Sequence, residues 1–227
     1  MMINSIMDEN QKSDDNMKNE LPDDTAGLKM SGHILVRDKE TGEEIVNKRN
    51  AIHYGNMAQI VAQALNNDSN ARLYYMGFGN GGTSVDTTGK IVYKTPRVSE
   101  AFESSASLYS RTYKKIIGLN TDTDKIEVVT GTSYTDLKIT CTLGYSEPAD
   151  QDLFDSSTTN EGSYIFDELG LFSYPTVPSP TDGSDPIDSS RMLTHVIFHP
   201  VQKSLNRLIQ IDYTVRIQTL TNLSSIG

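Results

Sequence analysis

Residues 209 to 217, IQIDYTVRI, alternate without a break: Ile209, Ile211, Tyr213, Val215 and Ile217 on one side, Gln210, Asp212, Thr214 and Arg216 on the other. A period of two puts successive side chains on opposite faces of an extended chain, so this stretch reads as a strand with one buried and one wet face. Residues 137 to 143 repeat the pattern, with Leu137, Ile139, Cys141 and Leu143 opposite Lys138, Thr140 and Thr142. Further strand-like runs lie at 72–78, 90–95, 107–117, 124–129, 163–172 and 192–198, divided by Gly, Asn, Asp, Ser and Pro. A chain built this way must close a sheet over a core, and 227 residues give it room to do so.

The start of the chain differs. HILVR and EEIVN, on either side of DKETG with Gly42 in the turn, predict a hairpin. One helix follows, expected over about 51–66. Asn50 can cap it, Met57, Ile60, Val61, Ala64 and Leu65 form an apolar stripe, and Asn66 and Asn67 end it. Residues 1–30 are polar and acidic with scattered Ile3, Ile6, Met7, Met17 and Leu21, which predicts a flexible arm, or one that orders against a neighbouring subunit. Residues 173–190 hold half of the eight prolines and predict a long exposed loop, and 221–227 predict a short tail.

The net charge of -10 argues against a nucleic-acid or anionic-membrane partner. The single cysteine, Cys141, cannot form an intrachain disulfide. No apolar run approaches the ~20 residues of a membrane-spanning helix, and the first residues lack a signal-peptide pattern, so a soluble chain made in a cytosol is expected.

Chemistry-bearing constellations are few. Asp167 and Glu168 are adjacent; on a strand they point to opposite faces and cannot share a proton or a metal, so one is expected in solvent and the other against a partner at the strand end. GFGNGG, 77–82, has glycines at the spacing of a dinucleotide loop, but TSVDTTGK follows instead of a helix, which predicts a turn. His195 and His199 sit in a strand-like segment, on one face about 13 Å apart at ~3.3 Å per residue, too far to hold one ion. His33 and His53 have no ligand at metal spacing, and Cys141 lies on an apolar face, expected to be an inert thiol. No catalytic residue, cofactor site or metal site is therefore expected.

The order of these pieces resembles a class of small virion structural proteins of tailed bacteriophages. The matching residues are Gly77 and Gly79 of the turn; Glu168, Leu169, Gly170, Leu171 and Phe172 of an E-L-G-L-F element; Phe198, Pro200, Val201 and Lys203; and Ile209, Ile211, Tyr213, Thr214 and Val215. The E-L-G-L-F element is similar to one in attachment domains of tail-fibre and collar proteins. The resemblance implies a non-enzymatic assembly or adaptor subunit of tail, baseplate or neck, and the strands themselves predict a mostly-β fold, one antiparallel β-sandwich-like domain over residues 31–220 with one helix near its start. Its implied partners are other virion proteins and copies of itself in a ring, through the arm and the proline-rich loop. The alternatives are a capsid decoration protein, or a receptor- or carbohydrate-binding module using Tyr74, Tyr75 and Tyr174 near loops.

Overall fold

The computed structural model describes residues 27–98, 107–119, 121, 123–145, 147–148, 163–175 and 189–220. The expected arm up to residue 26, most of the 173–190 loop and the tail lie outside these. The chain is mostly β with one helix: β1 Gly27–Asp38, β2 Glu44–Ile52, α1 Tyr54–Leu65, β3 Leu73–Gly79, β4 Thr83–Val85 and β5 Ile91–Tyr93. There follow β6 Arg111–Ile116, β7 Asp124–Thr130, β8 Tyr134–Leu143, β9 Ser163–Ser173, β10 Thr194–Ser204 and β11 Ile209–Leu220. The first strand starts at Gly27, ahead of the boundary expected at residue 31.

Nine strands form one antiparallel sheet in the order β6-β3-β9-β10-β2-β1-β11-β8-β7, and β4 and β5 form a separate ribbon. The hairpin β1–β2 is the predicted one, with Gly42 at φ +75° in its turn. Asp38 holds that turn by accepting the N–H groups of Glu40 and Thr41 at 3.0 Å. The Thr41 N–H and the Arg207 guanidinium keep the Asp38 carboxyl down at about 2. The alternating strand β11 buries Ile209, Ile211, Tyr213 and Val215 as its pattern requires, and β8 buries Ile139, Cys141 and Leu143 while leaving Leu137 half-buried.

These side chains meet those of the other half of the sheet. Phe78, Phe166, Leu169 and Phe198 share one cluster with Ile34, Val36, Ile139 and Ile211, so the sheet curls over on itself and its two halves face each other as sandwich layers do. The aromatic rings within it stand edge to face, Phe166 at 5.5 Å from Phe78 and 5.8 Å from Phe198.

The two outermost strands come together at a polar seam. Lys115 of β6 donates to the Thr142 carbonyl of β8 at 2.6 Å, pairs with Glu147 and stands 3.6 Å from Asp124 of β7. Its side chain is 12% exposed. Replacing Lys115 with methionine would leave two carboxylates facing each other without their cation. We expect a loss of about 3 kcal/mol in urea unfolding, and a loss below about 0.5 kcal/mol, the usual effect of a surface change, would show that the seam does not hold the curl.

The helix differs from expectation at its start. Asn50 is a good capping residue by type, but β2 continues past it because Ala51 and Ile52 pair with His195 and Thr194 of β10. Asn50 instead donates its side-chain amide to the Tyr213 hydroxyl. The cap is His53, whose Nδ1 accepts the Asn56 N–H at 3.2 Å. Asn66 is the C-cap and Asn67 takes φ +61°, as the two asparagines suggested.

Candidate functional site

A buried polar cluster forms where β9 meets the turn that follows β3. Both carboxylates of β9 are buried, Asp167 at 3% and Glu168 at 0% exposure, which overturns the expectation that one of them faces solvent. Glu168 Oε1 accepts the N–H groups of Ser110 at 2.8 Å and Gly81 at 3.1 Å. Its Oε2 accepts the Tyr109 N–H at 3.0 Å and His195 Nε2 at 3.0 Å. Asp167 takes the N–H groups of Gly82 and Thr83, each at 2.8 Å, and the Thr83 hydroxyl. The two side chains keep separate donors.

The glycine turn and the acidic pair are thus one device. A turn without a strand partner has N–H groups that must be satisfied when buried, and the carboxylates supply the acceptors. The approach is close. A Cβ at Gly79 would lie 2.5 Å from both Glu168 Oε1 and the Ser110 carbonyl. At Gly170 it would lie 2.8 Å from the Thr194 carbonyl at the start of the neighbouring strand β10, so the E-L-G-L-F element needs its glycine for backbone approach. Phe172 covers this glycine and Gly77 opposite it, and stacks on Tyr75 at 4.5 Å.

His195 completes the cluster from β10. Its Nδ1 accepts the Arg97 N–H at 2.9 Å, so the ring proton sits on Nε2 and points at Glu168. Burial alone would raise the Glu168 carboxyl, but the bond from His195 and the N–H groups of Ser110 and Tyr109 outweigh it and hold it below the usual carboxylate range. A carboxylate offers about four acceptor positions, and here four donors occupy them. Chemically this is a fixed anion that fastens backbone.

The other sequence candidates are scattered. The GFGNGG turn leads into β4, and the N–H groups of Gly81, Gly82 and Thr83 that a phosphate would need are taken by the two carboxylates. His195 and His199 were expected on one face of a strand. The register shift between Ile197 and Val201 separates them, leaving His195 buried and His199 exposed, with His199 Nδ1 3.3 Å from the Tyr93 hydroxyl. Exposed His33 meets the Asn47 side chain at 2.7 Å. Cys141 is fully buried, which pushes its thiol pKa upward. Tyr75 is core, while Tyr74 packs edge-on against Tyr174 at 4.7 Å, and Arg72 lies 4.7 Å over the Tyr174 ring. Among the described residues no group of three His, Cys, Asp or Glu is placed to hold a metal ion, and no helix is long and apolar enough to cross a membrane.

Two buried polar residues were not singled out for their environment by sequence reasoning. His195 as the partner of Glu168 has no local cue, since 26 residues of chain, including the proline-rich stretch, separate them. Lys203, at 0% exposure, donates to the Ser204 carbonyl at 2.7 Å, and burial draws its ammonium down to about 8 from 10.5. Because the folded value is the lower one, the folded state holds fewer protons between pH 8 and 10.5, and stability rises with pH across that window. Lys203→Met is expected to stabilise the protein at pH 7 by about 1 kcal/mol and to remove this rise; a lower urea midpoint at pH 7 would count against it. No protein-family model, curated protein or solved structure matches the chain.

Proposed function

We propose that the chain is a non-enzymatic structural subunit of a tailed-bacteriophage particle, an assembly or adaptor protein of the tail, baseplate or neck that joins neighbouring subunits or anchors fibres. The observation that carries this reading is how the residues behind the resemblance are used. Gly79 of the turn and Glu168 of the E-L-G-L-F element are partners across β3 and β9, and Val201 of β10 pairs with Phe166 on the other side of β9. Motifs far apart in the chain therefore build one scaffold, and the two buried carboxylates of β9 fasten its backbone.

The sheet also offers a means of joining. Strand β7 ends the sheet, its residues Glu127–Thr130 are exposed, and Val128 is 68% exposed. An open edge carrying valines is a template for a strand from a neighbouring subunit. The test is a cryo-electron reconstruction of the particle. This chain's density in a ring of the tail, baseplate or neck, with the β7 edge against the next subunit, is the expected result. Density on the head shell would replace the adaptor role with decoration, and absence from the particle would overturn the structural role.

A further inference from the structure

Helix α1 packs through Met57 and Ile60 with Ile52, Leu193, Met30 and Leu73, and its apolar stripe is unfinished. Of Met57, Ile60, Val61, Ala64 and Leu65 only Met57 is buried; Ile60 and Val61 are half-buried, and Ala64 and Leu65 are exposed. Beside the helix an open trough of about 630 Å³ runs to the far edge of the sheet. It is lined by Ile60 and Val61 of the helix, Leu137 of β8, Val215 of β11, Ile116 of β6 and Leu119, which is 64% exposed. Among the described residues, Arg72 and Tyr74 are its only lining side chains with nitrogen or oxygen atoms. The volume is that of a small-ligand pocket, but such pockets orient their ligands with several converging polar groups. An aliphatic trough with so few fits an apolar stretch of polypeptide better, and leaving it open to water is unfavourable at roughly 25 cal/mol per Å².

The place where the remaining chain attaches points to the occupant. Gly27 pairs with Leu220, and three residues on Met30 pairs with Ile217, which lines the trough. Met30 also packs with Met57 and Ile60 at the foot of the helix. Leu28, on the same strand face as Met30, is 61% exposed. Residues 1–26 therefore attach three residues of strand beyond Met30, the partner of the lining residue Ile217. The large apolar residues nearest that root are Met17 and Leu21, four apart and separated from it by Pro22, Asp23, Asp24, Thr25 and Ala26. Six residues of extended chain reach at most about 20 Å at ~3.3 Å per residue, and so short a tether gives an effective concentration on the order of millimolar.

We propose that the trough is the seat of the chain's own residues 17–21, with Met17 and Leu21 covering the open stripe of α1 and the acidic residues around them left in water. The docking belongs to the isolated subunit and does not require the assembly role. Two full-length variants test it. Met17→Asp with Leu21→Asp should uncover the trough and raise the fluorescence of an added apolar dye several-fold over the unmodified chain. Leu21→Cys with Val61→Cys should oxidise to a disulfide within single chains, since the buried Cys141 thiol does not compete. Equal dye binding by the unmodified and aspartate chains would overturn the proposal. So would failure of the cysteines to join, and a bond formed only between two chains would show that the segment seats on a neighbour.

Discussion

Replacing Glu168 with glutamine is expected to cost about 3–5 kcal/mol, a large part of the 5–15 kcal/mol that holds a typical domain together. Glutamine keeps the shape and loses one acceptor oxygen. Whichever way its amide turns, an NH2 group faces two donors: Tyr109 and His195 in one orientation, Gly81 and Ser110 in the other. Glu168 and His195 are fully buried, so the His195 donor in particular has no water to turn to. Urea unfolding at pH 7 measures the loss, and a value under 1 kcal/mol would mean that the cluster relaxes. The pH dependence has a definite sign. The Glu168 carboxyl is depressed below its ordinary 4.5 in the folded state, so its contribution is complete above pH 4.5 and fades as pH falls through the lower folded value. The gap between the native chain and Glu168→Gln should therefore narrow in acid, below pH 4.5.

Gly79→Ala should do comparable harm for a steric reason. The added methyl meets the Ser110 carbonyl at 2.5 Å, and that backbone is fixed by the Ser110 N–H bond to Glu168. An expected cost of about 3 kcal/mol arises because the turn must lift off its carboxylates to make room. Two other glycines calibrate the result. Gly42→Ala has open space but sits at φ +75°, and should cost about 1 kcal/mol. Gly144→Ala meets, among the described residues, only the Glu147 side chain at 3.6 Å and should be within about 0.5 kcal/mol of neutral. Because Gly79→Ala and Glu168→Gln break the same fastening, the double variant should lose less than the two single losses together; strict additivity would show that they act apart.

What could be read in the chain beforehand followed range. The faces of β8 and β11 were legible because period-two alternation is local, and so were the first hairpin and the last turn of α1. The helix start was not, since Asn50 is claimed by Tyr213 and by the continuation of β2 toward β10. At Asp167 and Glu168 alternation alone predicted a wet face. That face is dry because Gly81, Gly82 and Ser110, more than fifty residues earlier, fold over it. The amides of the turn and the acids of the strand complement each other chemically, but no spacing in the sequence joins them. Strand order was equally hidden, because the first strand of the sheet finds its long partner in the last.

That pairing sets a timetable for synthesis. β1 lies in the middle of the sheet between β2 and β11, matched to β11 along its whole length from Gly27↔Leu220 to Asp38↔Ile209, and β8 also needs β11. At typical translation speeds of about 5–20 residues per second, β1 waits on the order of ten seconds or more for that partner to leave the ribosome. Until then Ile34 and Val36 have only half of their enclosure, and neither half of the curl can close on the other. The domain is therefore completed after its last strand is made, and the nascent chain must be kept from pairing its waiting edges with another chain in the meantime.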